Sequence, residues 1–329
     1  MKNLSLTWSR STLAGGLLAV AALLLPGASP QAAFPDKPIR LVVPFSPGGG
    51  TDLIARTLAP GMSQVLGVSV IVDNKPGAGT IIGTEAVARS APDGYTLVVS
   101  TFAHAVNPAL QPKLPFDTVK DFAPVILVGR GPNVLVVKAD SPWKSVQDLV
   151  DAARKDPEKL TFASQGIGTS AHLAGELFMN LAKVKLTHVP YRGAGPALTD
   201  LIGGQVDLFF GTAAAVSKHV EGGKLRALAV TSSQRSPAFA GVPTVGDTVA
   251  DFVVESWYGL YAPAGTPAEA IAKLNAAAEQ AAQSDEFRGK VEQEGLFISA
   301  GSPQELESYV RGEQARWAKV VRENDLKPN

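Results

Sequence analysis

The chain has 329 residues, with 30 Lys and Arg balanced by 30 Asp and Glu, four His and no Cys. The missing cysteine excludes disulfides, thiolate catalysis, iron–sulfur clusters and Cys-ligated zinc, and the zero net charge argues against a nucleic-acid binder, which carries a basic excess. At about 150 residues per domain the length suggests two domains, and 45% hydrophobic with only 18% charged residues argues for a large buried core over disorder.

The first 33 residues read as a targeting segment. Lys2 and Arg10 form a basic start, Leu13 to Leu25 an apolar run closed by Pro26-Gly27, and small residues follow to Ala32-Ala33. This is the layout of a signal peptide, too short for a membrane span of about 20 apolar residues. Cleavage after Ala33 leaves Gln31 three residues back, where a small residue is preferred, and a retained anchor is the alternative. A cysteine-free exported chain fits a bacterial periplasm.

Strands and helices then alternate. A β-rich run at 39–45 stops at Ser46-Pro47-Gly48-Gly49-Gly50. Leu53, Ile54, Leu58, Met62, Val65 and Leu66 follow at helical spacing. A strand at 68–72, a turn at 76–79, a helix at 81–88 and a strand at 95–100 come next. The same grammar restarts with a strand at 133–138 and a helix at 146–155. A strand at 160–164 leads into a helix at 171–183, one at 186–190 into a helix at 196–203, and one at 206–210 into a helix near 213–221. Strands at 225–231 and 253–261 precede helical stretches near 267–294 and 303–324. Thr266-Pro267-Ala268-Glu269 and Ser302-Pro303-Gln304-Glu305 both read as an N-cap, a proline at N1 and an acid at N3. Near-continuous Val, Leu and Ile runs between helices suggest an α/β fold with a parallel sheet covered on both faces.

One feature recurs. A strand ends in small residues and a helix begins at once, at Gly48–Thr51, Gly77–Thr80, Gly166–Ser170, Gly193–Gly195 and Gly211–Thr212. Helix starts leave N–H groups unpaired and carry partial positive charge, glycine admits a close approach, and ligands of open α/β sheets bind at the carboxyl ends of the strands. Such loops make anion sockets without Arg or Lys, although ordinary helix caps look the same. Gly166-Ile-Gly168-Thr-Ser-Ala171 matches a dinucleotide fingerprint in form, but no acid follows the next strand until Asp200. There is no P-loop, no close His pair for a metal and no nucleophile elbow. His104 and His172, each beside a strand end or helix start, are either pocket or packing residues; His188 and His219 read as structural or surface. Asp52 either accepts from a ligand or favours the start of its helix, Tyr191 is pocket wall or core, and Arg130 and Arg192 either pair with carboxylates or lie in solvent.

The run Pro38 to Asp52 resembles the opening of the tripartite tricarboxylate transporter substrate-binding proteins, the Bordetella uptake gene (Bug) family. Further matches follow in order: Asn74–Gly79, Ala91–Leu97, Lys120–Pro124, Gly168-Thr-Ser-Ala-His-Leu-Ala-Gly-Glu176, His188–Tyr191, Leu225–Thr231 and Ala262–Pro267. The resemblance spans the whole mature chain. It implies a type II periplasmic binding protein, a Venus flytrap of two α/β lobes with a ligand cleft between them: lobe 1 at 34–133 plus 255–329, lobe 2 at 134–254. It implies a periplasmic receptor for a small organic carboxylate, partnered by the membrane permease subunits of a tripartite tricarboxylate transporter, with no catalysis, no cofactor, no metal and no nucleic acid, working as a monomer.

The residues matching the family's ligand loops are Ser46, Gly48, Gly49, Gly50, Thr51, Asp52, Gly79, Thr80, Thr101 and His104 in lobe 1. In lobe 2 they are Ser164, Gly168, Thr169, Ser170, Tyr191, Gly193, Gly211 and Thr212, with His172 beside them. Two departures stand out. Thr80 replaces a glycine common among relatives, and Gly211-Thr212 stand where many carry an acid or amide, which disfavours an ammonium-bearing ligand and favours a plain mono- or dicarboxylate. A ligand-binding co-receptor for a periplasmic sensor kinase uses the same cleft and is the alternative; an exported hydrolase is a further one.

Overall fold

A computed structural model of the chain describes residues 34–111, 113–292 and 295–327, with isolated positions 1, 3 and 5. The targeting segment expected at 1–33 lies outside the described residues. The described residues from Pro35 onward form one compact unit.

The strands are β1 (Ile39–Val43), β2 (Val70–Asn74), β3 (Thr96–Thr101), β4 (Phe122–Lys138), β5 (Thr161–Ser164), β6 (Thr187–Pro190), β7 (Leu208–Thr212), β8 (Leu225–Val230), β9 (Glu255–Pro263) and β10 (Phe297–Ile298). The helices are α1 (Gly50–Leu66), α2 (Ile81–Ala88), α3 (Phe102–Leu110), α4 (Val146–Lys155), α5 (Ser170–Ala182), α6 (Ala194–Gly203), α7 (Ala213–Glu221), α8 (Ala268–Gln283), α9 (Asp285–Val291) and α10 (Pro303–Glu323). Amphipathic spacing accounts for the long ones. Ile54, Leu58 and Met62 are buried on α1, and Leu306, Val310, Trp317 and Val321 on α10.

The strand order is β2-β1-β3-β9-β4-β7-β5-β6, with β8 and β10 pairing with β4 off that path. Parallel pairing, expected throughout, holds only in the flanks: β1 with β2 and β3, and β5 with β6 and β7. The centre is antiparallel, because β4 and β9 are long crossing strands and not parts of strand–helix–strand units. The first part of β4 pairs with β9, and its last residues, from Asn133, pair with β7 and β8. One strand therefore serves two half-sheets. The eleven residues before Asn133 were not expected to be strand, since Pro124, Gly129, Gly131 and Pro132 are poor strand formers. Register shifts at Pro124/Ile126 and Leu127/Gly129 absorb the irregularity. The glycines admit the 295–297 backbone, since a Cβ on Gly129 would lie 2.7 Å from the Phe297 carbonyl oxygen.

The two segments that cross between half-sheets are tied by one residue. The Thr231 hydroxyl accepts from the Asn133 N–H (2.8 Å), and its proton faces the carbonyls of Asn133 (2.9 Å) and Val254 (2.5 Å). The Val254 N–H returns to the Thr231 carbonyl. Of the two expected N-caps before proline, Ser302 forms a full capping box with Glu305. Thr266 does not cap α8: its hydroxyl donates to the Pro263 carbonyl instead (2.8 Å).

Candidate functional site

The loop between β1 and α1 is held by Asp52. Its carboxylate accepts from the Gly48 N–H (3.0 Å), Arg56 Nε (3.0 Å) and Asn74 Nδ2 (2.9 Å). Asn74 also donates to the Phe45 carbonyl (3.0 Å), joining the ends of β1 and β2. Burial raises the carboxyl pKa of Asp52, but the bonds from Arg56, Gly48 and Asn74 outweigh it and hold the group below the usual range. Asp52 is thus fully engaged with the ends of β1, β2 and α1. Replacing it with Ala leaves the Gly48 amide without its acceptor and Asn74 Nδ2 with the Phe45 carbonyl alone. Stability is expected to fall by about 2 kcal/mol, read as a lower urea midpoint at unchanged slope, with Asp52→Asn intermediate.

Four consecutive residues after β2 adopt positive φ: Gly77 (135°), Ala78 (47°), Gly79 (59°) and Thr80 (80°). Two of them carry side chains, so the turn is strained. It is braced by Asn107 on α3, whose Nδ2 donates to the Gly79 carbonyl (3.2 Å). A Cβ on Gly79 would overlap the Ile167 carbonyl oxygen, so the two backbones touch here.

Across from it lies the loop between β5 and α5. The Thr169 hydroxyl donates to the Gly166 carbonyl (2.6 Å). Ser164 Oγ accepts from the Gly166 N–H (3.1 Å) and meets His188 Nε2 at 2.7 Å. Ser170 Oγ accepts from Asn133 Nδ2 (3.0 Å). The hydroxyls of Ser164 and Thr169, read from sequence as ligand donors, are therefore engaged within the protein, Ser164 with His188 and the Gly166 amide and Thr169 with the Gly166 carbonyl. Gly168 packs against Asn107 Oδ1 so closely that any Cβ there would overlap it.

Two further loops complete the arrangement. Ser46 N–H donates to the Arg192 carbonyl (2.9 Å), and a Cβ on Gly193 would lie 3.0 Å from the Ser46 nitrogen. Tyr191 donates its phenol proton to Asp200 (2.7 Å); burial and that carboxylate push its pKa up to about 12. Thr212 stands opposite Gly50, where a Cβ would lie 2.6 Å from its hydroxyl oxygen and 3.2 Å from the phenol oxygen of Tyr258 on β9. Phe45, Gly49, Gly50, Thr51, Gln165, Ala194 and Thr212 enclose a remnant of about 10 Å³, the size of one water. No Lys or Arg side chain lines it. The starts of α1, α6 and α7 converge on it, so the positive character comes from backbone N–H groups and helix dipoles.

Ser46 and Gly49–Thr51 are thus brought against Gly193, Ala194 and Thr212, and Gly79 against Gly166 and Ile167. Thr101 closes β3 opposite Tyr258 and precedes α3. Thr80 is buried beside Gly79. Three expected residues face elsewhere. His104 lies behind α3, donating from Nε2 to the Thr118 carbonyl (2.8 Å) and stacked on Tyr261 with ring centres 4.8 Å apart. Gly211 abuts Val216 and Phe209 in the core. His172 is fully buried beneath the loop it was expected to help form. Arg130 lies over the Tyr309 ring, 5.4 Å from its centre, and not at the loops. Gln165, Asn107, Asn133 and Tyr258 were missed. Gln165 stands between Ser164 and the glycine loop that begins at Gly166. Asn107 was hidden because Pro108 masks the helix that carries it.

Two half-sheets joined by crossing strands, with loops meeting at the strand ends, define an α/β periplasmic binding protein. The solved periplasmic binding protein BugD superposes with a TM-score of 0.87 at 33% identity, covering 89% of this chain and 99% of that one. The profile of the tripartite tricarboxylate transporter family receptor matches residues 54–326, and the chain belongs to that family of receptors. It is 38% identical over 297 residues to protein BugT of Bordetella pertussis, covering 89% of this chain and 91% of that one. Two Rhodopseudomonas palustris structures carry ligands. Rpa4515 with adipate is 36% identical with a TM-score of 0.87, covering 90% and 100% of the two chains; MatC with bound malate is 34% identical with a TM-score of 0.84, covering 88% and 100%. The family is one of non-enzymatic binding proteins.

Proposed function

We propose that the chain is an exported receptor, freed of residues 1–33, that captures a small organic mono- or dicarboxylate and delivers it as a monomer to the membrane permease subunits of a tripartite tricarboxylate transporter. The two half-sheets act as lobes, 34–133 plus 255–329 and 134–254. The crossing segments at Asn133 and Val254, tied by Thr231, serve as the hinge about which they close. The observation that carries this reading is the meeting of neutral donors from both lobes around a cavity with no ionised side chain in its lining. An anion is stabilised there by helix starts and amides, and an ammonium group finds no carboxylate, since Asp52 is occupied by Arg56 and Asn74. Adipate in one relative and malate in another support a carboxylate as cargo.

Charge-assisted hydrogen bonds contribute about 1.5–3 kcal/mol each. Three or four roughly match the ~8 kcal/mol of micromolar affinity before ordering and desolvation costs. A thermal-shift screen of ligand-stripped protein tests the reading. Adipate or malate at about 100 times Kd is expected to stabilise the native state by about 2.7 kcal/mol, and the matched diamides not to. Stabilisation by amino acids but not by their deaminated analogues would overturn the plain-carboxylate assignment.

A further inference from the structure

The run Gly168–Glu176 is only half explained by the cleft. His172 is 0% exposed, so its ring cannot reach a solute. Its Nδ1 accepts from the Gly168 N–H (3.2 Å). A neutral imidazole that accepts at Nδ1 carries its proton on Nε2, and Nε2 faces Glu176 Oε1 at 3.7 Å, one turn along α5. That separation exceeds a hydrogen bond but leaves a strong charge–dipole attraction away from water. The ring is clamped flat. It stacks on His188 (centres 4.5 Å apart), which stacks on Phe162 (4.6 Å) and bonds Ser164. Both inner amides of the loop therefore rest on imidazoles, Gly168 directly and Gly166 through Ser164.

We propose that Glu176 and His172 are positioning residues of the receptor: the Glu176 carboxylate orients and polarises His172, which holds the Gly168 amide and so sets the shape of the 166–169 loop that receives the carboxylate. The effect on affinity rests on the carboxylate reading above; the effect on the loop does not. Beside Glu176 and His172 themselves, the titratable group seen against the pair among the described residues is His188 on β6. The strands beneath, β5 and β7, present no ionisable side chain within 161–164 or 208–212. Burial pushes Glu176 up to about 7. It also holds His172 and His188 down to about 3 and 4, the His188 ring adding to the effect on His172. Near neutrality only the carboxyl changes charge. Protonating it removes the charge opposite Nε2–H and makes Nδ1 a poorer acceptor, so affinity falls as the pH drops through 7.

The test combines calorimetry with adipate between about pH 6 and about 8.5 and the amide NMR signal of Gly168 in the ligand-stripped protein. Wild-type affinity is expected to be about tenfold weaker at the acid end, and Glu176→Gln to give a flat profile. His172→Asn, whose side-chain oxygen can stand in for Nδ1, should stay within about threefold of wild type at the alkaline end, while His172→Ala loses about tenfold or more throughout. The Gly168 signal should titrate near neutrality in wild type and not in Glu176→Gln. A wild-type pH profile in Glu176→Gln, or wild-type affinity in His172→Ala, would overturn the proposal, as would a Gly168 signal indifferent to Glu176. If no carboxylate binds yet Gly168 titrates as described, the positioning role stands and the carboxylate reading fails.

Discussion

Gly79→Ala should weaken carboxylate binding by about a hundredfold or more while leaving the protein folded. The residue sits at φ 59° in the strained turn after β2, and its α-carbon faces the Ile167 carbonyl of the opposite loop. A methyl group there has two effects that can be separated. The left-handed backbone costs about 1–2 kcal/mol in any setting. If the two half-sheets move as the lobes proposed above, the overlap with Ile167 arises only when they are together, and it penalises the closed form alone. A penalty of about 3 kcal/mol on the binding-competent state lowers apparent affinity about a hundredfold. Gly67→Ala is the matched control. It has φ 71°, nothing within 4 Å of the added carbon and a place at the end of α1 away from the loops. It should lose comparable stability and keep its affinity. Calorimetry and urea unfolding of the two variants decide the matter, and equal affinities would show that the 79–167 contact does not belong to the ligand-bound state.

Acid should unfold the protein well before its surface carboxylates are exhausted. Three histidines are held neutral inside: burial lowers His104 to about 4, His172 to about 3 and His188 to about 4 from an ordinary 6.5. The unfolded chain takes up these protons as the pH falls below 6.5 and the native state does not. The stability that depends on the neutral rings is thus complete above about pH 6.5 and is lost progressively towards pH 3–4. By pH 4 each ring costs about 3 kcal/mol, a sum comparable with the whole stability of a typical domain. Glu176 works the other way, since its raised pKa means that its ionisation destabilises the native state as the pH rises through 7. One carboxyl against three rings leaves the balance with the histidines. The melting temperature should peak near neutrality and collapse between pH 6 and pH 4; a flat profile over that range would contradict the buried neutral assignments.

The flanking strands and most helices were legible because each follows one local rule: an apolar run, a small-residue turn, then an amphipathic helix. The central crossing was not. In β4, the segment from Phe122 to Pro132 has prolines and glycines where a strand pattern needs side chains, and only its partners β9 and β10 make it a strand. The loops of the site were legible as glycine-rich helix starts, but the direction of individual side chains was not. Thr169 and Ser164 offer hydroxyls that sequence reads as free, and the fold turns them back onto Gly166 and His188. His104 differs from a pocket residue only by the placement of Thr118, Phe122 and Tyr261 around it, contacts from distant parts of the chain.

Closure of the two proposed lobes on an anion held by neutral donors is the step on which the function rests. It is tested most directly by isothermal titration of refolded, ligand-stripped protein with adipate and with adipamide, side by side. One site per chain is expected, with micromolar affinity for the acid and no measurable heat of binding for the amide. Equal binding of both, or binding of neither alongside tight binding of a cationic or neutral solute, would contradict it.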